Sequence, residues 1–263
     1  MQVASALTLT PQPVLDIVPR VEFETSRYLV RFARNLEEIE AALKLRFEVF
    51  NLELGEGLDS SFLTGRDRDE FDATCQHLIV IDKEQDDIVG TYRVRTIEMA
   101  GSPDGFYSAG EFDLKSLPQE VLLNSVELGR ACIARQHRAR QVLSLLWRAL
   151  AHYTVTESKR FLFGCCSLTS QTPSEGQKLM RQLSDSGYVH PYLWIEPNPG
   201  LECLGEPTCW TSEVPIPPLF KTYLSIGAKV CGPPAIDRQF KTIDFFVIFD
   251  LLQMDERTRR ILF

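Results

Sequence analysis

The chain has 263 residues, of which 44% are hydrophobic and 24% are charged, and its formal net charge is −8 at pH 7. This composition is typical of a globular protein with a sizeable core, and the length suits one large domain or two small ones. The acidic balance argues against nonspecific nucleic-acid binding, and the lack of a run of about 18 apolar residues argues against a transmembrane helix.

The N-terminal segment, residues 1–25, is predicted to be a tail because its apolar residues show only weak periodicity. It lacks the basic start and the continuous apolar stretch of a secretory signal peptide. The seven cysteines include no CxxC pair, which indicates buried, reduced thiols in a cytoplasmic protein. We therefore expect one domain over 26–263, with a Pro-rich C-terminal extension from about 197.

Helical spacing and two-residue alternation predict the elements of the first half of the chain. They are a helix at 35–52 with Asn35 as its N-cap, a loop at 53–74, strands at 76–82 and 87–97 joined by a hairpin turn, a loop at 98–123, and a strand at 124–133.

The second half is predicted to be a helix at 139–158, a strand at 161–168, a helix at 172–187, a short helix at 218–230, a strand at 240–252 and a terminal helix. The hairpin is antiparallel, whereas the strand–helix–strand unit at 124–168 should make its two strands parallel through a right-handed crossover. The result is a mixed α/β sheet. If the two parallel strands splay apart, a cleft opens between them.

The stretch "VELGRACI" at 126–133 holds Glu127 and Arg130 on either side of a glycine. A regular strand would send these two side chains to opposite faces, but Gly129 indicates a bulge that would bring both to one face. A bulge would also free backbone N–H and C=O groups to pair with an amide-bearing ligand in the cleft. The alternative is a buried ion pair between Glu127 and Arg130 that ties the sheet to the core.

Arginines are concentrated at the start of the helix that follows this strand, and no acidic residue accompanies them. They are Arg135, Arg138, Arg140 and Arg148. In a protein of net negative charge, such a patch suits an anionic partner. A solvated helix face would give the same pattern.

Several motifs resemble, in this order, the bacterial N-acyltransferases that make lyso-ornithine lipid, and more distantly the acyl-homoserine-lactone synthases. They are "LRFEVF" at 45–50, "DEFD" at 69–72, "HLIVID" at 77–82, "IVGTYRVR" at 88–95, "YSAGEFDL" at 107–114, "VELGRACI", "LLWRALAHY" at 145–153, "LFGCCSL" at 162–168 and the tail at 217–248. The resemblance spans about 30–252 and implies an α/β, acetyltransferase-like (GNAT) fold. That fold has a mixed sheet with splayed parallel central strands and helices on both faces.

The resemblance implies transfer of a long-chain (3-hydroxy)acyl group from a thioester to the α-amine of an amino acid, with ornithine as the default acceptor. Glu127 is then the candidate base, directly or through a water, with Arg130 beside it. The implied substrate-binding residues are Arg46, Arg93 or Arg130 for the carboxylate and Asp69 or Asp72 for the side-chain ammonium. The implied oxyanion and pantetheine positions are Ala131, Cys132, Ile133 and Ser167.

The acyl donor is inferred from the start of the helix predicted at 139–158. Related acetyl-CoA enzymes place glycines there to hold a diphosphate, but Gln141 and Leu143 stand at those positions here. This favours the single phosphate of phosphopantetheine on an acidic acyl carrier protein, which would dock on Arg135, Arg138, Arg140 and Arg148. Neither a metal nor a bound cofactor is implied. We expect a cytoplasmic protein. Because its product would be amphiphilic, peripheral contact with the inner membrane is plausible.

Three alternatives stay open at this stage. In the first, the acceptor is another amino acid or amine, such as glycine or tyrosine. In the second, the chemistry is that of a lactone synthase. The third is a noncatalytic acyl-carrier-binding protein that has kept the fold.

Overall fold

The computed structural model describes residues 18–138, 140–205 and 213–263. The strands are β1 (Glu22–Glu24), β2 (Tyr28–Phe32), β3 (Gln76–Asp82), β4 (Asp87–Thr96), β5 (Ser125–Ile133), β6 (Phe161–Leu168), β7 (Lys229–Val230), β8 (Ala235–Asp237) and β9 (Thr242–Asp250). The helices are α1 (Leu36–Phe47), α2 (Ser61–Thr64), α3 (Ile97–Ala100), α4 (Gln119–Leu123), α5 (Arg140–Thr156), α6 (Pro173–Asp185), α7 (Pro218–Ser225) and α8 (Glu256–Leu262).

All the strands belong to one sheet of order β1-β2-β3-β4-β5-β6-β9-β7, and β8 also pairs with β9. Neighbouring strands are antiparallel except β5 and β6, which are parallel and joined through α5. The predicted mixed α/β sheet is therefore confirmed. In the part of the chain that the structure describes, no helix is long and apolar enough to cross a membrane.

Helix α1 begins as predicted, because the side chain of Asn35 accepts a hydrogen bond from the backbone N–H of Glu38 at 2.9 Å. After Phe47 the backbone continues as a π-helical segment, Glu48–Glu53. Such segments re-aim side chains and are frequent near functional sites. Here Val49 and Phe50 face the central cavity described below.

The two central strands part soon after they meet. β5 and β6 pair only from Ser125–Glu127 against Phe161–Phe163, and beyond that point they diverge. Gly164 marks the place of separation, since a Cβ atom there would lie 2.2 Å from the carbonyl oxygen of Leu128. The predicted splay is therefore confirmed, and a glycine at 164 permits the close approach from which it starts.

The structure corrects the predicted N-terminal boundary. Residues 22–24 form β1 and pair with β2, so the sheet begins inside the segment predicted as a tail. Residues 1–17 of that segment lie outside the described residues. Neither β1 nor β2 was predicted, and β7 and β8 were also missed. Three of these four strands have two or three residues, too few to display a repeat of two.

Candidate active site

A cavity of about 620 Å³ lies where β5 and β6 diverge. Helix α5, the π-helical segment after α1, and the C-terminal region around α7 complete its walls. The wall is polar near the bulge of β5 and apolar towards α5 and α7. The apolar part includes Leu143, Trp147, Leu150, Leu219, Tyr223, Ile226, Val247 and Phe249.

β5 carries a bulge opposite Tyr92 of β4. Thr91 pairs with Cys132 and Arg93 with Gly129, so that Arg130 and Ala131 together face a single residue. The bulge thus lies directly after the glycine that suggested it. Arg130 has a φ of 51°, a left-handed conformation that costs energy in a non-glycine residue and is concentrated at functional sites.

The bulge directs Arg130 into a buried group of opposite charges, which we call the arginine–aspartate cluster. Arg130 Nη2 lies 3.0 Å from Asp69, whose carboxylate also pairs with Arg93. Arg46 Nε lies 2.6 Å from an oxygen of Asp67. The cluster comprises Arg46, Arg93, Arg130, Asp67, Asp69 and Asp72, so that its formal charges cancel.

The cluster keeps the carboxylates of Asp67 and Asp72 ionised. Burial alone would raise the pKa of Asp67 and of Asp72, but the nearby arginines outweigh it and lower both pKa values. Arg46 is 0% exposed and spans these two aspartates. Asp67 was not among the predicted site residues, although it stands two residues before Asp69 in "DRDEFD".

Three predicted substrate-binding residues do not reach the cavity. The carboxylates of Asp69 and Asp72 are occupied by arginines, and neither residue lines the cavity wall. Arg46 lies behind the wall with them. Their assignment to the ammonium and carboxylate of a substrate is therefore corrected, because buried ions that neutralise one another offer no free charge to a ligand.

Arg93 and Arg130, in contrast, both line the cavity. Arg93 pairs through Nη1, whereas its buried Nη2 has no hydrogen-bond partner among the described residues. A buried donor without a partner is costly, and a ligand oxygen would satisfy it. Arg93 is therefore suited to bind a carboxylate in the cavity.

Glu127 lies on the cavity wall and is only 4% exposed. Its carboxylate accepts hydrogen bonds from two successive backbone N–H groups, those of Tyr107 at 2.9 Å and Ser108 at 2.7 Å. Burial raises the pKa of Glu127, and these hydrogen bonds offset only part of that effect. Glu127 is hydrogen-bonded to Tyr107 and Ser108, whereas Arg130 pairs with Asp67 and Asp69, so the buried Glu127–Arg130 ion pair is not formed.

The predicted oxyanion and pantetheine positions face one another across the gap between the strands. Ala131, Cys132 and Ile133 line it from β5, and Ser167 lines it from β6. From Leu128 onwards, β5 has no pairing with β6 within the described registers. Burial raises the pKa of the Cys132 thiol, which therefore remains protonated and is a weak nucleophile.

The four predicted docking arginines separate in the structure. Arg138 and Arg140 line the cavity, and Arg135 is exposed in the turn just before them. Arg138 also pairs with Glu53 at 2.6 Å. Arg148 does not line the cavity and lies over the ring of Phe23 in β1, 4.4 Å from its centre. Arg148 is thus removed from the group.

A second set of carboxylates was not anticipated. One oxygen from each of Glu111, Asp237 and Asp244 lies within 4.8 Å of the others. We call this set the acidic trio. Burial raises the pKa of Glu111 and of Asp244, and Asp237 raises both further. A side-chain hydrogen bond between Glu111 and Asp244 raises the pKa of Glu111 and lowers that of Asp244. Glu111 is far in sequence from Asp237 and Asp244, so that no local motif could have revealed the three together.

The sequence was compared with known proteins. It is 33% identical over 245 residues to the L-ornithine N(alpha)-acyltransferase of Brucella abortus (strain 2308), which covers 87% of this chain and 86% of that protein. It is 32% identical over 234 residues to the L-ornithine N(alpha)-acyltransferase of Agrobacterium fabrum, covering 83% and 79%. The chain belongs to the L-ornithine N(alpha)-acyltransferase family. The predicted resemblance is confirmed, and the chain is an acyltransferase.

The fold is also recognised at the level of the domain. The acetyltransferase (GNAT) domain family matches residues 45–148, which include the end of α1, the hairpin of β3 and β4, β5 and the first half of α5. Among solved structures, the AHL synthase LasI superposes with a TM-score of 0.48 at 14% identity, covering 91% of this chain and 96% of that chain.

Proposed function

We propose that this protein transfers a long-chain (3-hydroxy)acyl group from an acyl carrier protein thioester to the α-amine of ornithine. The observation that carries the proposal is the cavity between β5 and β6. It combines an apolar wall with a polar end where Glu127 and the free donor of Arg93 lie. The names of the relatives support ornithine as the acceptor.

The apolar wall suits the acyl chain of the donor. Much of it comes from α5 and from the C-terminal region. The phosphopantetheine arm would then lie along the unpaired edge of β5, much as a peptide adds a strand to a sheet. Its amide groups would pair with the backbone that the divergence of the strands leaves free.

The reaction requires one proton transfer before the amide bond forms. Glu127 accepts a proton from the α-ammonium, directly or through a water, and the amine nitrogen then attacks the thioester carbon. A backbone N–H near Ala131 or Cys132 stabilises the oxyanion. The carbon–sulfur bond breaks as the carbonyl re-forms, and the leaving thiolate takes up the proton that the attacking nitrogen loses as it becomes an amide. Arg93 holds the α-carboxylate of the acceptor.

The carrier protein would dock at the mouth of the cavity. Arg138 and Arg140 line this mouth and Arg135 is exposed beside them, which suits an acidic carrier and its single phosphate. We place the enzyme in the cytoplasm. Peripheral contact with the inner membrane would allow the amphiphilic product to leave.

Purified protein should be incubated with the 3-hydroxyacyl thioester of acyl carrier protein or of CoA, and with ornithine, glycine or tyrosine. Mass spectrometry of the products is expected to find the ornithine amide, formed faster from the carrier thioester. If no acceptor gives an amide, the protein is not this enzyme. A preference for glycine or tyrosine would overturn the acceptor, and equal rates from CoA would overturn the choice of donor.

A further inference from the structure

Three polar side-chain atoms meet within the apolar wall of the cavity. They belong to Tyr92 of β4, Trp147 of α5 and Tyr223 of α7, which all line the cavity. The indole Nε1 of Trp147 donates to the hydroxyl of Tyr92 at 3.3 Å, and the hydroxyls of Tyr92 and Tyr223 are hydrogen-bonded to each other. The rings of Trp147 and Tyr223 are stacked, with their centres 5.6 Å apart. We call this set the tyrosine–tryptophan network.

A count of hydrogens leaves the network with one donor too many. Trp147 supplies one N–H, and each of the two tyrosines supplies one O–H. Two of these three hydrogens are used, one from the indole to Tyr92 and one between the two hydroxyls. Whichever tyrosine donates to the other, one hydroxyl hydrogen is left without an acceptor among the residues that the structure describes.

The spare donor lies in buried, apolar surroundings. Tyr92 is 1% exposed and Tyr223 is half-buried. Burial raises the pKa of Tyr92 to about 12 and that of Tyr223 well above its ordinary value, so both hydroxyls keep their hydrogens at neutral pH. The thiols of Cys132 and Cys166 act electrostatically on Tyr92, but a thiol is only a weak acceptor. A buried donor without a partner costs free energy, which an oxygen of a ligand would recover.

The network begins at the bulge of β5. Tyr92 is the residue of β4 that faces Arg130 and Ala131 together, so its backbone lies beside the N–H group proposed to hold the thioester oxygen. From there its side chain reaches towards Trp147 and Tyr223. An acyl chain that runs from the bulge along the apolar wall would therefore pass the two hydroxyls near its thioester end.

We propose that the tyrosine–tryptophan network binds an oxygen that the acyl chain carries near its thioester end, which is the 3-hydroxyl of the proposed donor. This inference rests on the proposed function. The spare hydroxyl hydrogen of the network donates to that oxygen. An unsubstituted chain offers no acceptor and leaves the donor buried without a partner. Tyr92 and Tyr223 thus determine which acyl chain is used, whereas Glu127 and Arg93 act on the amino acid.

The first test uses the wild-type protein with ornithine and three acyl carrier protein thioesters of equal chain length. The chains are 3-hydroxy, 3-oxo and unsubstituted. We expect kcat/KM for the 3-hydroxyacyl chain to exceed that for the unsubstituted chain about 10-fold or more, because the unsubstituted chain leaves a buried donor unpaired. The 3-oxo chain should lie closer to the 3-hydroxy chain, since a ketone oxygen also accepts a hydrogen bond.

The second test removes both hydroxyls and keeps both rings. Each single variant would leave one tyrosine hydroxyl free to donate, so the double variant Tyr92→Phe/Tyr223→Phe is needed. It should lower kcat/KM for the 3-hydroxyacyl chain about 10-fold and leave the unsubstituted chain within about threefold, so that the preference is lost. Tyr28→Phe is the matched control, because Tyr28 is also buried but bonds to Nδ1 of His137 at 3.1 Å and does not line the cavity. It should keep the wild-type preference.

The competing role for these hydroxyls is donation of a proton to the leaving thiolate. In that case the double variant would lower kcat for all three chains by the same factor, whereas the proposal expects kcat for the unsubstituted chain to stay unchanged. An equal loss for every chain would therefore overturn the proposal.

The remaining outcomes separate the network from the proposed function. Equal wild-type kcat/KM values for the three chains, or a preference that survives in the double variant, would overturn the network while leaving the acyltransferase proposal intact. The wild-type comparison needs no variant, so it still decides if the double variant fails to fold. If the wild type forms no amide from any of the three chains, the proposed function itself fails.

Discussion

Two groups of three carboxylates lie beside the cavity, and they differ in whether cations accompany them. The arginine–aspartate cluster holds three arginines against three aspartates, so that its charges cancel. The acidic trio contains none. The difference is reflected in the pKa values: arginines lower those of Asp67 and Asp72, whereas burial raises those of Glu111 and Asp244.

The two groups also differ in how the chain builds them. Asp69 caps the short turn Glu70–Thr74 by accepting from the N–H of Phe71, and Asp72 accepts from the N–H of Asp69. Asp69 and Asp72 are thus held by local backbone contacts. The trio is assembled from a turn and two strands, and only Asp237 has backbone donors.

Removing the central cation of the cluster should have the largest effect. Arg46→Met keeps the bulk of the side chain but leaves Asp67 and Asp72 without their shared partner. Breaking a buried ion pair in this way should cost about 3–5 kcal/mol in the free energy of unfolding. Urea denaturation measures it. Arg34→Met is the control, since the pair of Arg34 with Glu22 is exposed, and a similar cost there would contradict the buried role of Arg46.

How far the sequence predicts the fold depends on the length of each element. The strands β3, β5, β6 and β9 and the long helix α5 were predicted to within about two residues, because each shows several repeats of its pattern. The strands that were missed are mostly short. β2 is apolar at nearly every position, so its sequence shows no alternation of apolar and polar residues. The splay of β5 and β6 followed from the resemblance, and its cause at Gly164 became visible only in the structure.

The candidate site was predictable where its residues lie in one motif. Glu127 and Arg130 were found because a glycine interrupts a charged strand. Asp69 and Asp72 were predicted to bind a substrate, but in the structure they pair with arginines. A sequence does not show which opposite charges meet. Glu111 had no local signal, since its partners lie on β8 and β9.

Replacing Glu127 should lower the rate of the reaction more than it lowers the stability of the fold. Glu127→Gln keeps the size of the side chain and should lower kcat by about 100-fold or more if the carboxylate is the base. Because burial raises the pKa of Glu127, wild-type activity should rise with pH as this group loses its proton, and the variant should lack that rise. Steady-state rates from pH 5 to 8 measure it.

The exposed Glu120 of α4 provides the control for this prediction. Glu120→Gln should keep both the wild-type rate and its pH profile. If Glu127→Gln is equally active but easier to unfold, then Glu127 serves only to hold the Tyr107–Gly110 turn.

The two groups should differ in how substitution of a carboxylate changes stability between pH 5 and pH 8. The pKa of Glu111 is raised in the folded protein, so its contribution to stability is present below the unfolded pKa and is lost as pH rises through the folded pKa. Glu111→Gln removes that loss and should stabilise the protein at pH 8, and by less at pH 5. The pKa of Asp72 is lowered, so its contribution to stability is complete above its unfolded pKa, and Asp72→Asn should destabilise the protein to a similar extent at pH 5 and at pH 8. Urea denaturation at both pH values compares them; changes of the same sign would contradict the distinction.

The smallest effect is expected at the mouth of the cavity, where Arg138 is paired but exposed. Since exposed charges contribute little and act mainly on association, Arg138→Ala should raise KM for acyl carrier protein about threefold at low salt and less at high salt. Glu53→Gln should lower this KM, because it frees Arg138 from its partner. Arg148→Ala, over Phe23, and Arg257→Ala, on the exposed side of α8, should change nothing. If Arg138→Ala leaves the KM for acyl carrier protein unchanged at every ionic strength, the carrier docks elsewhere.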